Sequence, residues 1–135
     1  MRNKKIAKLI LQLESHLECW KQFNQYLALA RSKKFNSEDE SQFLEIKSVL
    51  TQELEMILSC VECSAPTKED VYALIGSAPS IRYVSELNDG ALRGVESQWH
   101  RIYISWQSLL GQLKVQQNRL ESKSVWNALL GRSGT

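Results

Sequence analysis

From Lys4 to about Ser32, the residues Ile6, Ile10, Leu13, Leu17, Trp20 and Leu27 recur at alternating steps of four and three. Asn24 occupies the one polar beat, and Leu9, Phe23 and Ala30 widen the apolar stripe on one flank. This spacing predicts a helix packed along one face. At about 1.5 Å per residue it would be over 40 Å long. Intrinsic propensity stabilises an isolated helix only weakly, so a helix of this length needs partners along most of it.

The polar stretch Ser32 to Asn36 reads as a tight turn, and Ser37-Glu38-Asp39-Glu40 fits the S-x-x-E pattern of a capping box. Three acids in a first helical turn also suit the positive end of the helix dipole. The following helix, over about 38–62, carries Phe43, Ile46, Leu50, Leu54, Ile57 and Val61 on one face. So short a connection predicts an antiparallel hairpin of the first two helices. Pro66 stops the second helix and Thr67-Lys68-Glu69-Asp70 offers a further cap. Short helical pieces are expected between 64 and 90, one through Val71, Leu74 and Ile75 and one containing Ile81, Tyr83, Val84 and Leu87.

The last long helix is expected from near Ala91 to 121. Leu92, Val95, Trp99, Ile102, Trp106, Leu109, Leu113 and Leu120 follow steps of three and four, with Gln116 as the polar beat. The pattern is like a coiled-coil heptad, but it is broad enough to suit an intramolecular bundle. Beyond Ser122 the pattern changes: Val125, Trp126, Leu129 and Leu130 form an i, i+1, i+4, i+5 cluster. The expected architecture is therefore all-α, an antiparallel bundle of three long helices plus one or two short ones. It spans 1–121, with residues 122–135 as a tail carrying a short amphipathic segment. Leu13, Leu17, Trp20, Leu50, Ile57, Trp99, Ile102, Trp106 and Leu109 are the predicted core.

A chain of 135 residues with 43% hydrophobic and 24% charged residues can bury a core without disulfides or metal. Its net charge of +2 hides three unequal blocks. Residues 1–37 carry eight Lys/Arg against Glu14 and Glu18 (+6); residues 38–70 carry nine acids against Lys47 and Lys68 (−7); the remainder is +3. Either the first two helices pair and neutralise each other, or the basic segment is a binding face. The start Met1-Arg2-Asn3-Lys4-Lys5 has a basic flank, but Leu9-Ile10-Leu11 is too short for a signal-peptide core, and no run approaches the roughly 20 apolar residues of a membrane span. A cytoplasmic location is the expectation, with no membrane partner.

Among residues that carry chemistry, Cys60-Val61-Glu62-Cys63 and His16-Leu17-Glu18-Cys19 supply ligand types that zinc accepts. In a hairpin turning near Lys34, however, residue 16 lies opposite roughly residue 53, which leaves the pairs about 10 Å apart along the helices. Ordinary semi-buried cysteines are the better reading, and no metal or cofactor is expected. The carboxylates at Glu38 to Glu40 and at Glu53 and Glu55 have no convergent histidine, and no di-iron, phosphate-loop or nucleophile-elbow motif exists. Arg93 and His100, an R-x6-H on the last helix, resemble the signature of the HEPN ribonuclease family of all-α domains. The resemblance implies that the pair meets its counterpart across a dimer and cleaves RNA, the histidine as acid/base and the arginine against phosphate charge. It covers about ten residues, and Gly94 stands where that family often has a polar residue.

The remaining candidates concern binding. Lys4, Lys5, Lys8, Arg31, Lys33 and Lys34 lie at both ends of the first helix and could meet nucleic acid, without an accompanying recognition motif. Leu44-Glu45-Ile46-Lys47-Ser48-Val49-Leu50 is similar to the leucine-and-lysine pattern of flagellar hook-junction export chaperones, which implies a partner-binding role. Trp20, Trp99 and Trp106 belong to core stripes, whereas Trp126 belongs to the tail. There Val125, Trp126, Leu129 and Leu130 either fold back on their own bundle or dock on another protein or a second copy. The expected function is that of a non-enzymatic interaction protein: an adaptor, chaperone or complex subunit. The alternative is a nucleic-acid-associated helical subunit or a HEPN-like ribonuclease.

Overall fold

The computed structural model describes residues 2–61 and 66–134. Five helices account for nearly all of them: α1 Arg2–Ser32, α2 Ser37–Cys60, α3 Lys68–Ser77, α4 Ile81–Ser85 and α5 Asp89–Gly134. Among the described residues there is no strand. The architecture is an all-α helical bundle in which three long helices supply the length and two short ones close the side.

α1 is the central helix and packs against α2, α4 and α5. Its antiparallel pairing with α2 is marked by Tyr26 donating to Gln42 (2.7 Å) and by His16 meeting Glu53 (2.8 Å). Its antiparallel pairing with α5 is marked by Arg31 on Glu96 (2.6 Å) and by Lys114 on Glu14 (3.5 Å). All nine predicted core residues are buried, with Leu13, Trp20, Leu50 and Trp106 fully so. Asn24, the polar beat of α1, is exposed.

The turn after α1 closes without glycine. Lys33 takes a left-handed conformation (φ 59°), its N–H donating to Ala30 O and that of Lys34 to Leu29 O. This is the paired-bond closure usually given to glycine, which has no Cβ to crowd the carbonyl. The cap of α2 sits one residue earlier than the S-x-x-E pattern predicts. Asn36 accepts from Asp39 N (2.9 Å) and Asp39 accepts from Asn36 N (3.0 Å), a reciprocal box of the same physics. Glu40 is thereby released, and its carboxylate accepts the N–H groups of Ile81 (2.6 Å) and Arg82 (3.2 Å) at the start of α4. Thr67, Ser80 and Asn88 accept from the backbone N–H three residues on, at the starts of α3, α4 and α5.

Two expectations change. Among the described residues no lysine or arginine from Lys4 to Lys34 pairs with an acid of residues 38–70. Lys21 pairs within α1 on Glu18, and Arg31 reaches α5 instead. Among the described residues, therefore, no ion pair of a lysine or arginine joins the two charge blocks across the hairpin. The second change is the end of α5, which continues to Gly134 instead of stopping near 121. The register break after Leu120 moves the apolar side chains to another face of the helix without ending it, since Ser122 to Leu130 contain neither proline nor glycine.

Candidate partner-binding site

Among the residues of α5 whose side chains are described, Leu113 is the last that is buried. Gln117 and Leu120 are half-buried, and every described side chain from Glu121 to Leu130 is exposed. Val125 is 61% exposed, Trp126 63%, Leu129 55% and Leu130 58%. Val125, Trp126 and Leu129 line a shallow groove with Glu121 and Ser122, and Leu130 lies one turn beyond Trp126. At about 100° per residue these four centre roughly half a turn around the helix from the stripe of Trp106, Leu109 and Leu113. Folding of the same helix thus turns them away from α1. The structure brings together the four residues that the sequence singles out and places them on the outside of the helix.

The basic residues of α1 remain apart. Lys4, Lys5 and Lys8 are exposed at one end, Lys33 and Lys34 at the other. Arg31 is held by Asp89 and Glu96 (3.2 and 2.6 Å) and its guanidinium is pushed still further into the charged form, first by Glu96. Among the described residues no helix is long and apolar enough to cross a membrane.

Arg93 and His100 both lie exposed on α5 beside Glu96, Ser97 and Arg101. Arg93 pairs with Asp89 one turn earlier (3.0 Å), and His100 lies against the Trp99 ring (centroids 6.5 Å).

His16, in contrast, is completely buried. The Trp20 indole N–H donates to His16 Nε2 (3.0 Å), so that nitrogen must offer its lone pair. The proton therefore sits on Nδ1 and is donated to Glu53 Oε1 (2.8 Å). Burial lowers the His16 pKa, and the Glu53 carboxylate opposes this only in part. The ring also meets the Trp106 ring edge-on (centroids 4.9 Å, 81°), and the Trp106 indole N–H is buried without a hydrogen-bond partner. Both nitrogens of His16 are committed inside the core, so it presents no lone pair to a metal. Cys19 is half-buried, its thiol pushed up by burial and then by Glu53 and Glu18, and Cys60 is exposed at the end of α2. Cys63 lies outside the described residues. Among the described residues no group of three or more His, Cys, Asp or Glu could hold a metal ion.

Sequence reasoning treats His16 only as a candidate ligand and misses its pairing with Glu53. A signal was present: His16 and Trp20 stand four apart on one stripe, and the hairpin count places residue 53 opposite. No protein-family model matches the chain, and neither a curated protein nor a solved structure does.

Proposed function

We propose that this chain is a non-catalytic interaction protein, an adaptor, chaperone or complex subunit, that binds another protein through the projecting end of α5. The observation that carries this reading is the placement of Val125, Trp126, Leu129 and Leu130, each more than half exposed and beyond Leu113, the last described residue of α5 that is buried. Apolar side chains concentrated in this way cost free energy in water and gain it when covered. Tryptophan is among the residues most enriched where truncation weakens a complex most. An amphipathic helix offering i, i+1, i+4, i+5 contacts fits a groove or a second helix.

The test is a comparison of the full chain with a Trp126→Ala/Leu130→Ala variant. Retention of bound protein from native lysate is measured beside the thermal midpoint of each purified chain. Loss of the retained protein with an unchanged midpoint is expected. Unaltered retention, or a midpoint that falls in the absence of any partner, would overturn the reading, the second because it would make the tail part of its own core.

A further inference from the structure

A groove between α1 and α2 holds a charge that the fold leaves without an opposite. Leu11, Gln12 and Ser15 of α1 and Glu53, Met56 and Ile57 of α2 line it, and its volume is about 390 Å³. Ile57 is buried, whereas Leu11 is 67% and Met56 46% exposed. Glu53 stands among these apolar side chains with one oxygen committed, Oε1 accepting from His16 Nδ1 (2.8 Å). His16 is itself neutral, because its Nε2 accepts from the Trp20 indole N–H (3.0 Å) and so carries no proton. The contact therefore orients the carboxylate without cancelling its charge. Among the described residues no lysine or arginine pairs with Glu53. Oε2 accepts no hydrogen bond from a described residue and is not sealed from solvent, the Glu53 side chain being 28% exposed. The side chains of Gln12 and Ser15 are likewise without a hydrogen-bond partner among the described residues.

Three acceptors thus line one largely apolar groove: Glu53 Oε2, Ser15 Oγ and the Gln12 side-chain carbonyl. A primary ammonium group carries three donors, no acceptor and one positive charge. A guanidinium gains most from a carboxylate with both oxygens open to its fork, and here His16 holds one of them. A metal ion needs more anionic ligands than this, and no group of three or more His, Cys, Asp or Glu stands ready among the described residues. Leu11, Met56 and Ile57 offer contact to a short aliphatic chain, and the volume is that of a small-ligand site. A basic face of another protein would also meet Lys8, exposed one turn before Leu11 and Gln12, and be opposed by it. A small ligand at Ser15 and Glu53 stays about two turns, roughly 10 Å, from Lys8.

We propose that the α1–α2 groove at Glu53 binds a small aliphatic amine, its ammonium on Glu53, Ser15 and Gln12 and its chain on Leu11, Met56 and Ile57. The site lies apart from the end of α5 and does not rest on the role given to that segment.

The test uses the full chain and probes of equal chain length: hexylammonium, hexan-1-ol, hexanoate and hexylguanidinium. Binding is followed by calorimetry and by NMR of the Met56 methyl group. Hexylammonium is expected to bind at least about tenfold more tightly than hexan-1-ol or hexanoate, and more tightly than hexylguanidinium. Glu53→Gln keeps an acceptor for His16 Nδ1–H while removing the charge. It should weaken hexylammonium at least about tenfold and leave hexan-1-ol unchanged. Leu11→Lys, at an exposed position, should weaken hexylammonium comparably with an unchanged thermal midpoint. No saturable binding of hexylammonium, equal binding of hexan-1-ol or hexylguanidinium, or an affinity that survives in both variants would overturn the site. A helical peptide with one lysine among leucines that binds more tightly than hexylammonium would overturn the small-molecule reading in favour of a protein partner.

Discussion

The two halves of α5 have comparable shares of apolar residues and differ in what those residues meet. From Leu92 to Leu113 the stripe is covered by α1 and α3, and Trp106 is completely buried. From Lys114 to Leu130 no described residue is buried, and Trp126 is 63% exposed. One tryptophan completes a core and the other, twenty positions later on the same helix, faces outward. Helix formation and core burial are separate outcomes: the first follows from the run of residues that tolerate helix, the second from the azimuth of the apolar ones.

The largest test of this contrast is Trp106→Ala, expected to cost about 3–5 kcal/mol in chemical denaturation because it empties a filled, fully buried site beside His16. Next comes Glu53→Ala, which removes the acceptor of a buried Nδ1–H and should cost about 1–3 kcal/mol. The same site gives a pH dependence. Burial holds the His16 pKa below its usual value of about 6.5, so the unfolded chain takes up that proton first. Its contribution to stability is complete above about pH 6.5 and declines as the pH falls below it through the lower folded-state value. The thermal midpoint should therefore drop between about pH 7 and pH 5, more steeply than in a His16→Gln variant. Gly111→Ala, with open space at the added Cβ, should raise stability by up to about 1 kcal/mol. Trp126→Ala should change it by less than about 0.5 kcal/mol, a near-zero effect that would sharpen the distinction between the halves.

The parts of the fold that were legible are those set by local spacing. The steps of three and four marked all three long helices, and counting back from the Lys33–Asn36 turn placed residue 16 opposite residue 53. What was hidden depends on distant neighbours. Asn36-x-x-Asp39 and Ser37-x-x-Glu40 are both capping boxes by pattern, and only the position of α4 decides that Glu40 serves Ile81 and Arg82. Glu53 reads as one of many solvated acids until α1 brings His16 against it. The break after Leu120 looks like a helix end, although the residues that follow suit a helix as well as those before. The four apolar residues of the tail were legible as a cluster, because no stronger stripe runs beside them.

The polar contacts inside the core have a consequence for alignment. Leucines at near-regular spacing would let three long helices slide by a turn, about 5.4 Å, with little loss of apolar contact. The buried donors do not allow it. Sliding α2 along α1 would strand the His16 Nδ1–H that now meets Glu53, and sliding α5 would strand the Trp99 indole N–H that now meets the Trp20 carbonyl at 2.9 Å. Each orphaned donor would cost about 1–3 kcal/mol. The two hydrogen bonds thus act as a vernier: the first sets α2 along α1, and the second fixes how far α5 emerges from its own bundle and so how much of Trp126 the molecule shows.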